Sequence, residues 1–315
     1  MKRFLQHFFL FSITAVVLLL ALQFFLQKKL QNPRYYKVEQ NIHTVVIGNS
    51  RPECAFNDSL ISGAKNLSLV AEPYFYTYIK LRKVVESNKQ IKRVVIEFSD
   101  INLSADNMHK WMYDAASVKY LYPRYANIMT LAEKKEVFST SPVSVIKSFS
   151  FVMHDNILFS TGAGTNLLVY KQIGGFTVKE GSHIAEIKNE TNKKKQVQEN
   201  TFELAEFNLV YLDKIVNLCK QQQLQLFFLR SPVHPIYGIN SFNKTYDSVL
   251  QYRYPAVKLL DFADYQLPDS CYFDAHHLNY LGARKVSASM DSVLKRINDS
   301  PAVHLFHHHR ISIKQ

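Results

Sequence analysis

The chain has 315 residues, 47% hydrophobic and 20% charged, a balance that suits a folded globular protein and excludes a disordered one. Its formal charge is +12, but the basic residues are spread along the chain, and the densest run, Lys193-Lys194-Lys195, sits in a polar stretch that reads as a solvated loop. No helix-turn-helix, zinc-finger or RNA-binding aromatic pattern accompanies that charge, so nucleic acid is not expected as a partner.

In chain order, residues 1–7 form a short N-terminal tail. Residues 8–26 (FFLFSITAVVLLLALQFFL) follow as an apolar run close to the ~20 residues that cross a bilayer, with Gln23 its one strongly polar member. No small-x-small cleavage site follows, so the run reads as an uncleaved transmembrane anchor rather than a signal peptide. Lys2 and Arg3 precede it, whereas Lys28, Lys29, Arg34 and Lys37 follow it, which by the positive-inside rule favours a cytoplasmic body. Residues 27–40 are polar and basic, include Asn32-Pro33, and read as a juxtamembrane linker.

Strand and helix signals then alternate over residues 41–300. Strands are expected at Ile42 to Ile47, Asn66 to Val70, Arg93 to Phe98, Leu224 to Leu229 and Val257 to Phe262. Helices are expected at Tyr74 to Glu86, Thr201 to Gln222, Thr245 to Tyr252 and Asn279 to Ile297. Apolar strands alternating with helices predict an α/β fold with a parallel sheet covered on both faces. Residues 102–200 break the rhythm: aromatic-rich at first, then rich in Ser, Gly and Lys, they read as a long insertion that caps the site. Residues 301–315, with His307-His308-His309, read as a C-terminal tail. Cys54, Cys219 and Cys271 form no metal-binding spacing and read as small buried hydrophobes.

Two short segments carry the chemistry. Gly48-Asn49-Ser50-Arg51 ends the first strand, and Asp274-Ala275-His276-His277 precedes the last helix. Ligands of a parallel sheet sit beyond the carboxyl ends of its strands, which is where both segments fall. A serine hydroxyl becomes a nucleophile when a histidine takes its proton, and that histidine needs a carboxylate on its other nitrogen. Ser50, His277 and Asp274 are therefore the candidate triad, with His276 as the rival histidine. Arg51 is a candidate for holding an anionic substrate. His234, after the fourth strand, is a candidate for lining the pocket or for bonding to backbone. Each segment alone has a bland reading, a turn or a capped helix start; their order and placement join them. The chain lacks Gly-x-Ser-x-Gly, since residues 48–52 read Gly-Asn-Ser-Arg-Pro.

On these segments the chain resembles the SGNH/GDSL hydrolase superfamily, whose nucleophilic serine lies in a Gly-Asp-Ser or Gly-Asn-Ser and whose last block is Asp-x-x-His. The match runs through Gly48-Asn49-Ser50, Asp274 to His277, the following Leu278-Asn279 and Gly282. It is similar to the membrane-anchored bacterial branch that includes the D-alanine transfer protein of teichoic acid synthesis and the alginate acetyl-transfer proteins. The resemblance implies a three-layer, flavodoxin-like sheet and a single-pass protein of the bacterial cytoplasmic membrane with its main domain outside the cytoplasm. It implies O-acyl (acetyl) transfer or ester hydrolysis on an envelope glycan or acylated polymer, beside a membrane-bound O-acyltransferase. No metal or organic cofactor is required. The middle blocks depart from the family pattern. Asn66-Leu67-Ser68-Leu69-Val70-Ala71 lacks the oxyanion glycine, and Glu97-Phe98-Ser99-Asp100-Ile101-Asn102 replaces Gly-x-Asn-Asp, leaving Asn102 as a register-shifted substitute. A domain that binds polymer or an acyltransferase without turnover, and a lipase facing the cytoplasm, are the competing readings.

Overall fold

The computed structural model describes residues 1–161, 173–193, 203–237, 243–299 and 310–313. Its centre is a parallel sheet of β1 (Thr44–Ile47), β2 (Ala64–Asn66), β3 (Arg93–Glu97), β4 (Gln225–Arg230), β5 (Lys258–Asp261) and β6 (Arg310–Ser312). The strands lie in the order β2-β1-β3-β4-β5-β6, so the winding reverses between β1 and β3. Such a reversal leaves a crevice at the carboxyl edge of the sheet, the usual place for a ligand.

Side chains alternate across a strand, and the core divides accordingly. Val45, Ile47, Val94, Ile96, Phe228 and Leu259 enter one cluster. There they pack with Phe75, Ile79 and Val84 of α3 (Tyr74–Ser87) and with Leu209, Leu212 and Ile215 of α10 (Glu206–Gln221). Val46, Val95, Phe227, Leu229 and Leu260 enter the other, against Val286, Met290, Val293 and Leu294 of α12 (Tyr280–Asp299). Both faces are thus covered, as an all-parallel sheet requires. The short helix α2 (Ser50–Ala55) lies on the α12 side, and α11 (Asn243–Arg253) connects β4 to β5.

Several expectations need correction. The second strand is Ala64–Asn66, and residues 67–70 form its exit loop. The register fixes this: Asn66 pairs with Val46, after which Asn66 turns its own side chain back to the N–H of Ser68 at 2.9 Å. The supposed linker is nailed to the core. Tyr35, Tyr36 and Val38 are buried, and Asn88 accepts the Val38 N–H at 2.9 Å and donates to the Tyr36 carbonyl at 2.8 Å. The supposed tail supplies β6 through residues 310–312, while His307, His308 and His309 lie outside the described residues.

The insertion has two parts. Its first folds as α4 (Asp100–Leu103), α5 (Ala105–Tyr113), α6 (Ala115–Tyr125), α7 (Leu131–Thr140) and α8 (Pro142–Thr161), packed against α3 and against the end of α1 (Lys2–Leu30). Its last part, residues 173–183, is an extended strap that leads into α9 (Ile184–Lys193). A buried ion pair joins these parts. Lys80 donates to Glu72 at 2.9 Å, to the Ile173 carbonyl at 2.9 Å and to the Leu67 carbonyl. Glu72 also accepts from Thr77 at 2.9 Å and from Tyr125. Burial pushes Glu72 up and Lys80 down, each toward its neutral form, and these bonds are what make burial of the pair tolerable. α1 is long and apolar enough to cross a membrane.

Candidate active site

The turn after β1 is built for close approach. Gly48 has φ +153°, and a Cβ there would lie 2.5 Å from the Cβ of Glu97 on β3. Asn49 caps α2 by accepting the Arg51 N–H at 2.9 Å. Ser50 is therefore the first residue of the helix, where the backbone N–H has no intrahelical partner.

The second segment is a tight loop. Tyr272 bridges Leu278, and the Phe273 N–H donates to the His277 carbonyl at 2.9 Å. Asn279 then caps α12, accepting the N–H groups of Leu281 at 3.0 Å and Gly282 at 3.2 Å. Gly282 lets the helix abut the loop, since a Cβ there would stand 2.3 Å from the Cys271 carbonyl oxygen. Inside the loop Asp274 accepts the N–H of His276 at 2.8 Å and of His277 at 2.9 Å.

These two constructions bring three side chains into line. His277 Nδ1 is 2.9 and 3.0 Å from the two Asp274 carboxylate oxygens, and His277 Nε2 is 2.8 Å from Ser50 Oγ. Burial alone would raise the Asp274 pKa; the His277 bond, its charge and the two backbone N–H groups outweigh that and hold it near 2. An ionised Asp274 fixes the proton on Nδ1, so Nε2 is left as the acceptor for the Ser50 hydroxyl.

The other candidates are placed differently. Arg51 is no substrate clamp: it is buried, and its guanidinium is bound to Asp100, which also accepts from Tyr237 at 2.5 Å. His234 does not present a free ring to a substrate. Its Nδ1 accepts the Ile236 N–H at 3.1 Å, its Nε2 meets Asp269 at 3.0 Å, and its own N–H holds the Ala275 carbonyl at 3.1 Å. It is a bracket for the Asp274–His277 loop. Asn102 lies beside the turn. Its Oδ1 accepts from Asn49 Nδ2 at 2.5 Å and from Ser99 at 3.1 Å, and its Nδ2 is buried with no partner. The loop after β2 turns its donors inward: the N–H groups of Leu67 and Leu69 bond to the Val46 and Gly48 carbonyls at 2.7 and 2.9 Å.

Sequence reasoning missed Asp100, Tyr237 and Glu97 as neighbours of the turn. Glu97 is fully buried, accepts from Ser231 at 2.6 Å, and burial lifts its pKa to about 7 although the Arg51 charge pulls it down. Only its position at the carboxyl end of β3 signalled it. The strap also reaches the site: Thr177 bonds Glu53 of α2 through its N–H at 3.0 Å and its hydroxyl at 2.9 Å, and the Lys179 carbonyl accepts the Tyr280 N–H at 2.9 Å. Among the described residues no cluster of three or more His, Cys, Asp or Glu side chains is placed to hold a metal ion. Cys54, Cys219 and Cys271 are buried and free, and burial pushes the Cys54 and Cys219 thiols up to about 12.

In comparisons with known proteins, a family model that carries no functional description matches residues 177–298. That stretch contains Asp274 and His277 but not Ser50. No curated protein matches the chain in sequence.

Proposed function

We propose that the chain is a membrane-anchored, SGNH-like O-acyl transferase or esterase of the cell envelope that forms an acyl-enzyme on Ser50. The observation that carries this reading is the unbroken line from Ser50 Oγ through His277 to Asp274, with contacts of 2.8, 2.9 and 3.0 Å. The strand order, with Ser50 at the reversal between β1 and β3, fits a three-layer, flavodoxin-like domain. Ser50 Oγ attacks the acyl carbonyl as His277 Nε2 takes its proton. The tetrahedral oxyanion is met by the Ser50 N–H at the start of α2. Collapse expels the first alcohol, which takes the proton back from His277. A sugar hydroxyl or water, deprotonated by His277, then attacks the acyl-Ser50 ester; the acyl–Oγ bond breaks, Ser50 takes the proton from His277, and the product leaves.

One observation favours a second reading, a domain that binds an acylated polymer or an acyltransferase partner without turnover. The backbone donors of Leu67 and Leu69 are consumed within the fold, and Asn102 turns its carbonyl oxygen to Asn49. Loss of one oxyanion donor costs about 100- to 1000-fold in rate. The two readings part in a turnover assay of the full chain in detergent with p-nitrophenyl acetate and an acetylated oligosaccharide. Acyl release or transfer that disappears in Ser50→Ala supports the enzyme. Activity equal in Ser50→Ala and wild type, or none in either, supports the binder.

A further inference from the structure

The apolar residues of the helical insertion do not stop at the core. α8 buries Val145, Ser148, Val152, Asn156 and Phe159, the stripe that a surface helix needs. Outside that stripe Val143, Ile146, Phe149, Phe151, Ile157 and Leu158 are exposed, Ile146 by 63%, with Lys147, Ser150 and His154 exposed between them. α7 adds Phe138 and Leu131, the latter exposed by 85%. So many large apolar side chains exposed on two neighbouring helices mark a docking surface.

Three contacts say where this patch lies. Asn156 donates to Gln23 at 3.4 Å, Lys134 to Gln27 at 2.8 Å, and Lys29 to the Ser160 carbonyl at 3.0 Å. Leu26 and Leu30 are the buried residues of α1 at this junction. The patch therefore meets α1 where its apolar run ends. From Gln23 to Leu26 the helix rises only about 4.5 Å. Exposed lysines surround the patch: Lys28, Lys29, Lys135, Lys147 and Lys119, the last 5.3 Å from the centre of the Phe151 ring. Amphipathic helices that lie in a membrane surface combine apolar contact with such cations, which face anionic headgroups.

We propose that α7 and α8 lie in the headgroup–acyl boundary of the bilayer that α1 crosses. The body then sits on the leaflet instead of hanging from a tether. This rests on reading α1 as a membrane span.

The test uses the full chain in nanodiscs of phosphatidylcholine with a minor share of phosphatidylglycerol. An environment-sensitive fluorophore is attached at Leu18→Cys in α1, Ile146→Cys and Ile157→Cys in α8, or Tyr252→Cys in α11, and brominated lipids serve as quenchers. The native cysteines are buried and stay unlabelled in the folded protein. Loss of emission at positions 146 and 157 of the same order as at 18, with none at 252, is the expected result. Quenching at 18 but not at 146 or 157 overturns the proposal while leaving the anchor intact. So does protection of 146 and 157 that arises only with a co-reconstituted membrane protein. No quenching at 18 removes the anchor and the proposal together.

Discussion

Two adjacent histidines divide the carboxyl edge of the sheet between two clusters. His277 turns to Ser50 and Asp274; His276 turns the other way, its ring 4.2 Å from that of Tyr237. The first cluster is half open, with His277 and Asp274 side chains exposed by 22% and 28%. The second is closed, with Arg51 and Asp100 exposed by 2% and 13%. Both contain an acid, a base and a hydroxyl. What separates them is whether a substrate can reach the groups and whether their bonds are already spent. Arg51 and Asp100 hold each other through both terminal guanidinium nitrogens, next to the turn that carries Ser50. In the other line Ser50 Oγ remains accessible while His277 is poised against it. His276 follows the closed cluster: burial, with the Arg51 charge next, holds its pKa down at about 4, so it stays neutral near pH 7.

That contrast can be broken by mutation, and the largest effect falls on chemistry. Under the proposed mechanism, His277→Ala and Asp274→Asn should each lower acyl turnover about 10⁴-fold, whereas His276→Ala should change it less than about tenfold. Equal losses at both histidines in a kcat measurement would erase the distinction. The next effect falls on stability. Arg51→Met leaves Asp100 buried without its counter-charge and should cost about 3–5 kcal/mol in a denaturant titration, while Asp274→Asn should cost far less. A smaller effect concerns pH. Glu97 has its folded pKa raised from 4.5 to about 7, so its contribution to stability is whole below about 4.5 and is lost as pH rises through 7. Glu97→Gln should flatten the melting temperature against pH across that window, by on the order of 3 kcal/mol at most. An unchanged slope would show that Glu97 is ionised throughout. The smallest is Cys219→Ala in the buried face of α10, which should leave activity unaltered and cost about 1 kcal/mol.

Much of the sheet was legible in the sequence because β-branched runs such as Thr44-Val45-Val46-Ile47 and Arg93-Val94-Val95-Ile96 are short, apolar and bounded by turn residues. The second strand was misplaced because Ala64-Lys65-Asn66 is polar and carries no such signal; its position is set by pairing with β1. The buried Tyr35-Tyr36 segment passed as a linker because its anchor, Asn88, is 52 residues from Tyr36. The grouping of Ser50, Asp274 and His277 was legible, since each falls on the same sheet edge. The fate of Arg51 was not. Sequence shows a charge after Ser50, but only packing reveals that Asp100 and Tyr237, far apart in the chain, close around it.

The most direct test of the central claim is intact-mass labelling of the full chain in detergent with a fluorophosphonate, beside Ser50→Ala, His277→Ala and His276→Ala. An activated serine gives one adduct that maps to Ser50, vanishes in Ser50→Ala and His277→Ala, and persists in His276→Ala. A folded wild-type protein that takes no adduct, or one that labels equally without His277, would contradict it.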